Sequence, residues 1–171
     1  AARSIAVLGA SERPGSFGLR LAESVISAGY GGRIDFVNPR QSTSLGRPCH
    51  RSIDEIEQAV DLAVLGIGAG NLESALIAAI NRGVRSAVIF DACHGESASG
   101  TPLLPRLRAI AREADLPVCG GAGMGFINLP TGCVASFYPA AHLKPGGISL
   151  IAHSGSVFTV LAMNDPRYRF D

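Results

Sequence analysis

Up to about Gly121 the apolar positions come in two alternating modes. "SIAVLGA" (4–10), "DLAVLGIG" (61–68) and "RSAVIFDA" (85–92) are short, unbroken apolar runs. Such runs suit parallel strands covered on both faces. "RIDFVNP" (33–39), stopped by Pro39, and "LPVCGG" (116–121) add two more strands. Between the strands the spacing changes to three and four. Ser16 to Gly29 predicts a helix with Leu19, Ala22, Val25 and Ile26 on one face. "SIDEIEQAV" (52–60) begins with Ser52 and has Glu55 three residues on, a capping box that predicts another helix. Further helices are predicted from Asn71 to Arg82, ending before Gly83, and over "PLLPRLRAIAREAD" (102–115). Repeated strand–helix units mean a parallel sheet with helices on both faces, an α/β chain of Rossmann-like class.

Beyond Gly121 the rhythm breaks. "GAGMGFINLPTG" (121–132) reads as a glycine-rich loop, "CVASFYP" (133–139) as a strand and "AAHLKPGG" (140–147) as a linker. "ISLIAHSGSVFTVLA" (148–162) repeats the opening theme of buried strand, small-residue turn and helix. The expected division is therefore a first domain over 1–142, then a linker and the start of a second domain over 143–171. One strand and one helix cannot build a core. The chain is expected to be part of a longer protein, or to fold its last segment onto the first domain.

Composition narrows the function classes. Apolar residues are 47% and charged residues 17%, which suits a packed chain and excludes disorder. Fifteen basic residues face fourteen acidic ones, so a field suited to nucleic acid or a membrane surface is not expected. Fourteen of the fifteen bases are Arg, which keeps a local anion site open. Cys49, Cys93, Cys119 and Cys133 form no CxxC pair and read as free thiols of a reducing compartment. No run approaches the roughly 18 apolar residues of a membrane span. A cytoplasmic protein is the expectation.

The first loop carries the chemistry. In Gly9-Ala10-Ser11-Glu12-Arg13-Pro14-Gly15-Ser16-Phe17-Gly18, a strand leads through glycines into a helix start. Bare N–H groups there suit a phosphate, with Ser11 and Ser16 as hydroxyl donors and Arg13 as a charge. The plainer alternative is a tight turn. The second strand ends "FVNPRQ", where an NAD site would place a carboxylate for the ribose hydroxyls. Asn38 and Arg40 instead suit a ligand with an extra ribose phosphate, as in coenzyme A or NADP. A solvated surface role for Arg40 is the alternative.

At these residues the chain resembles the CoA-binding domain of the nucleoside-diphosphate-forming acyl-CoA synthetases. That family includes the succinyl-CoA synthetase α subunit and the ADP-forming acetyl-CoA synthetases. The resemblance rests on "IAVLGASERPGSFG" (5–18), "VNPR" (37–40), "DLAVLGIGAGNLESAL" (61–76), "GVRSAVIFDACHGE" (83–96), "GMGFINLPTG" (123–132) and "PGGISLIAHSGS" (145–156). It implies coenzyme A contacts at Gly9, Ser11, Arg13, Ser16 and Gly18, with Arg40 meeting a CoA phosphate. It also points to Asn38, Gly66, Gly68 and Glu96 around the ligand. A flavodoxin-like second domain would follow, with Ser154, Gly155 and Ser156 facing a phosphohistidine. The implied reaction is acyl-CoA + ADP + phosphate = acid + CoA + ATP. A small carboxylic acid is the co-substrate, and ATP/ADP and Mg sit on an ATP-grasp domain or subunit. This stretch would bind without turnover. The chain departs from the family at Gly66-Ile67-Gly68, where Val-Pro is common, and at Ala122-Gly123, where Asn-Cys stands beside the active site.

Other candidates are weaker. Cys93 and His94 could form a nucleophile pair, but no third group orients them. His153 does not sit in a GxSxG elbow, because Ala152 lies two before Ser154. His50 and His142 read as exposed loop residues, and no cluster has metal-ligand spacing. Two rival functions remain: an NADP-binding reductase, although Lys144 is the only Lys and no Tyr lies at helical spacing from it, and a stand-alone, non-catalytic CoA-binding module. Self-association is left open.

Overall fold

The structure is a computed structural model that describes residues 2–138, 140–164 and 167–171. Its centre is a seven-stranded sheet built from β1 (Ser4–Leu8), β2 (Arg33–Val37), β3 (Thr43–Ser44), β4 (Arg47–His50), β5 (Leu62–Leu65), β6 (Ser86–Ile89) and β7 (Val118–Cys119). The order across the sheet is β3-β4-β2-β1-β5-β6-β7. All pairs are parallel except β3 with β4. The six parallel strands thus follow the doubly wound order, with the reversal between β1 and β5.

Alternate residues of each strand enter opposite layers. On one face Ile5, Val7, Phe36, Leu62, Val64 and Val88 meet Leu21, Ala22 and Val25 of α1 (Phe17–Ser27). On the other, Ala6, Leu8, Val37, Ala63, Leu65 and Ile89 meet α2 (Leu72–Asn81) and α3 (Leu103–Glu113). The strands expected up to Gly121 and these three helices are present, with tighter ends. On α1 the buried stripe takes Leu21, whereas Leu19 is only half-buried.

Three sequence expectations are corrected. Residues 52–60 are not a helix: one 3-10 turn, Ile53–Glu55, leads into extended chain at Ile56. Ser52 Oγ accepts from Asp54 N, and Glu55 reaches back to the Arg51 N–H at 2.7 Å. Burial of Ile53, Ile56 and Val60 in the core satisfies the three-then-four spacing without a helix. The glycine-rich loop contains a strand, β8 (Gly125–Asn128), antiparallel to β9 (Cys133–Ser136). This hairpin seals Cys133 and Ala135 over α1. Finally, His50 is not in a loop but ends β4, half-buried, with Nε2 3.9 Å from Asp35.

The tail differs most. β10 (Pro145–Ile148) is exposed throughout and bonds to the chain's last described residues, Ile148 N to Arg169 O and Phe170 N to Lys144 O. The expected buried strand from Ile148 is therefore absent; Ile151 is 99% exposed. α4 (Gly155–Phe158) follows, continued by a π-helical turn, Thr159–Met163. Rings connect this tail to the main body: Phe17 stacks on Phe137, Phe137 meets Tyr138 edge-on, and Tyr138 packs on Phe158 at 4.9 Å between centroids.

Candidate functional site

The reversal in strand order opens a crevice at the carboxyl ends of the strands. A cleft of about 850 Å³ occupies it. Its floor is the carboxyl ends of β2, β1 and β5, where Gly66 N donates to Leu8 O at 2.9 Å and Gly9 N to Val37 O at 2.8 Å. Contact there is too close for side chains. A Cβ on Gly9 would stand 2.5 Å from the Gly66 carbonyl oxygen, and one on Gly18 would overlap the carbonyl oxygen of Gly9. Both glycines are therefore required for packing, whatever the cleft holds.

Ser16 is the N-cap of α1, and its Oγ accepts from Leu19 N at 3.2 Å. Ser11 Oγ accepts from Arg13 N at 3.1 Å. Each hydroxyl keeps its proton for another acceptor. No described residue accepts from the Phe17 or Gly18 N–H, which belong to the orphan donors of a helix start. Asn38 also makes bonds within the chain. Its Nδ2 donates to Ala10 O at 2.7 Å and its Oδ1 accepts from Arg40 N at 2.9 Å. The carboxamide ties the loop after β1 to the loop after β2.

Three arginines line the cleft, Arg13, Arg40 and Arg51, and no carboxylate does among the described residues. None of the three makes an ion pair among the described residues. Ile53, Ile67, Ala75 and Ala78 give the cleft an apolar part of its lining. A charged rim, hydroxyl and N–H donors, and an apolar wall together fit a phosphate-bearing nucleotide.

Of the expected residues, Gly9, Ser11, Arg13, Ser16, Gly18, Asn38, Arg40, Gly66 and Gly68 all line this cleft. Glu96 does not; it is exposed and bridges to Pro102 through its backbone. Ser154, Gly155 and Ser156 lie apart, at the start of α4, where Tyr138 closes over Gly155. Sequence reasoning missed Arg51, Ser52 and the apolar wall. The missing signal was the hairpin β3–β4, whose Leu45-Gly46 turn carries positive φ at both residues and adds a strand beside β2.

Cys93 is not a nucleophile in waiting. It is buried, its Sγ donates to the Asp91 carbonyl at 3.3 Å, and burial with the Asp91 charge pushes its thiol up. All four cysteines are free. Among the described residues no group of His, Cys, Asp and Glu could hold a metal ion, and no helix is long and apolar enough to cross a membrane.

Comparison with known proteins agrees with this geometry. The chain is 29% identical over 154 residues to acetate–CoA ligase (ADP-forming) II of Archaeoglobus fulgidus, covering 90% of this chain and 23% of the relative. It is 31% identical over 160 residues to acetate–CoA ligase (ADP-forming) I subunit alpha of Pyrococcus furiosus, covering 91% and 34%. Among solved structures, acetyl-coenzyme A synthetase 1 of Candidatus Korarchaeum cryptofilum, with phosphate and ADP, superposes at a TM-score of 0.82 and 25% identity, over 94% of this chain and 34% of that one. The chain thus spans between about a quarter and a third of the length of the relatives it matches. Residues 3–128 match the family model described as "CoA binding domain", and the chain belongs to that family.

Proposed function

We propose that this chain is the CoA-holding part of an ADP-forming acid–CoA ligase. The observation that carries the reading is the cleft at the strand reversal, lined by three arginines and, among the described residues, by no carboxylate. In this reading the loop Gly9 to Gly18 takes the diphosphate through Ser11, Arg13, Ser16 and the start of α1. Arg40 takes the ribose 3′-phosphate. The wall of Ile53, Ile67, Ala75 and Ala78 receives the adenine ring. The role is positional: the phosphates are fixed so that the thiol end of CoA reaches a second domain. Residues 1–142 form the CoA unit and 143–171 begin the next domain, whose further strands would cover Ile148 and Ile151. The parent reaction is acyl-CoA + ADP + phosphate = acid + CoA + ATP, with a small carboxylic acid. ATP/ADP, Mg and an ATP-grasp partner belong to parts outside this chain. Two relatives are subunits named alpha, which supports a partner chain. Four free thiols support a reducing, cytoplasmic setting.

Calorimetric titration with CoA, 3′-dephospho-CoA and NADP tests the reading. CoA is expected to bind, more weakly without its 3′-phosphate and about tenfold more weakly to Arg40→Ala, the loss typical of a charged hydrogen bond. Binding of NADP with no response to CoA overturns it in favour of a reductase.

A further inference from the structure

The cleft holds one more guanidinium than the first loop and the β2 end supply. Arg51 follows directly on β4, the parallel neighbour of β2, so its Cα leaves the sheet beside the loop that carries Arg40. Its main chain is fixed. Asn38 N donates to His50 O at 2.8 Å, joining the ends of β2 and β4, and the Arg51 N–H is held by Glu55 at 2.7 Å. Ser52, the next residue, caps the 3-10 turn. The Glu55 carboxylate is thus engaged with backbone, and the Arg51 guanidinium makes no ion pair among the described residues. An exposed Arg whose main chain is held at the edge of a cleft lined by no carboxylate among the described residues has its charge available for an anion.

We infer that Arg51 is a second reader of the ribose phosphate, closing on it from the β4 side while Arg40 approaches from the β2 side. This rests on the CoA reading of the cleft and adds a specificity-determining residue to it. Two guanidinium groups on separate strand ends suit a terminal phosphate monoester, which carries close to two negative charges and three open oxygens. A diphosphate bridge, held by the glycine loop, has no need of a group that far along the sheet.

The test is calorimetric titration of the whole chain and of Arg51→Ala and Arg51→Lys with CoA and with 3′-dephospho-CoA. Arg51→Ala is expected to weaken CoA about tenfold while changing 3′-dephospho-CoA less than twofold, with Arg51→Lys between. Unchanged melting temperature in both variants separates this from a folding defect. Wild-type CoA binding with Arg51→Ala unaffected overturns the role of Arg51 and leaves the CoA reading standing. Equal weakening of the two ligands also overturns it, because Arg51 would then act on the cleft as a whole. A wild-type chain that binds neither form overturns the CoA reading, and Arg51's role with it.

Discussion

The segment from Ser4 to Ser27 and the segment from Ile148 to Met163 are written in the same pattern and meet different fates. Each runs from apolar strand through a small-residue turn to a helix. In the first, Ser4 to Leu8 is wholly buried because β2 and β5 flank it and helices cover both faces. In the second, Ile148 and Ile151 face outward, and Val157 and Val160 are about half exposed or more. The local physics is equal; the neighbours are not. An apolar strand states a demand for partners, and the fold meets it only where other strands exist to pair with. The second segment is tied to the body by Tyr138 against Phe158 and Gly155.

Substitutions sharpen that contrast. The largest effect is expected from Gly18→Val, whose side chain would overlap the Gly9 carbonyl and push α1 off the sheet. A loss of at least about 4 kcal/mol is expected, seen as failure to recover a cooperative denaturant transition. Leu65→Ala, in a strand with no exposed surface there, is expected to cost about 2–5 kcal/mol in urea unfolding. Tyr138→Ala is expected to cost about 1 kcal/mol at most. Its signature is faster proteolytic cutting of 140–163, with the midpoint of the main transition nearly unchanged. If the main transition collapses instead, the two regions are one cooperative unit and the contrast fails.

Acid provides a milder probe of the body. The Arg3 N–H, 2.6 Å from Asp61, and the neighbouring Arg85 hold the Asp61 carboxyl below its ordinary range. A carboxyl lowered in the folded state contributes stability above its unfolded value, near 3.9, and loses it as pH falls through the folded value. Melting temperature should therefore stay level at neutral pH and decline below about pH 4, with Asp61→Asn showing a shallower decline. The effect is below about 1 kcal/mol because the pair faces solvent. Smallest of all, Ile151→Ala should leave stability within about 0.5 kcal/mol. A larger loss would mean that this side chain is covered in solution.

Much of this architecture is legible in the sequence, and the gaps have physical causes. β1, β5 and β6 are readable because strands buried on both faces leave no polar alternation to confuse them. The glycine loop is readable because close approach at Gly9 and Gly18 excludes other residues. Residues 52–60 mislead because core burial can place Ile53, Ile56 and Val60 at helical spacing along a chain that is not helical. Arg51 is invisible for a related reason. Thr43–Ser44 and Arg47–His50 carry too little apolar signal to announce two strands, yet that hairpin brings Arg51 to the cleft. A site assembled from the ends of neighbouring strands is only as legible as its weakest strand.

The carboxamide of Asn38 has a further consequence, and it is thermodynamic. Its Nδ2 bond to the Ala10 carbonyl joins the loops after β1 and β2, which any ligand in the cleft must touch together, and its Oδ1 braces the second loop at Arg40 N. The entropy of ordering those loops is then lost during folding, when the sheet closes, and not again on association. A nucleotide should meet a surface already set, with a small conformational penalty and a single fast kinetic phase. Asn38→Ala would move that cost to the moment of binding, slowing the encounter while removing no charge from the cleft.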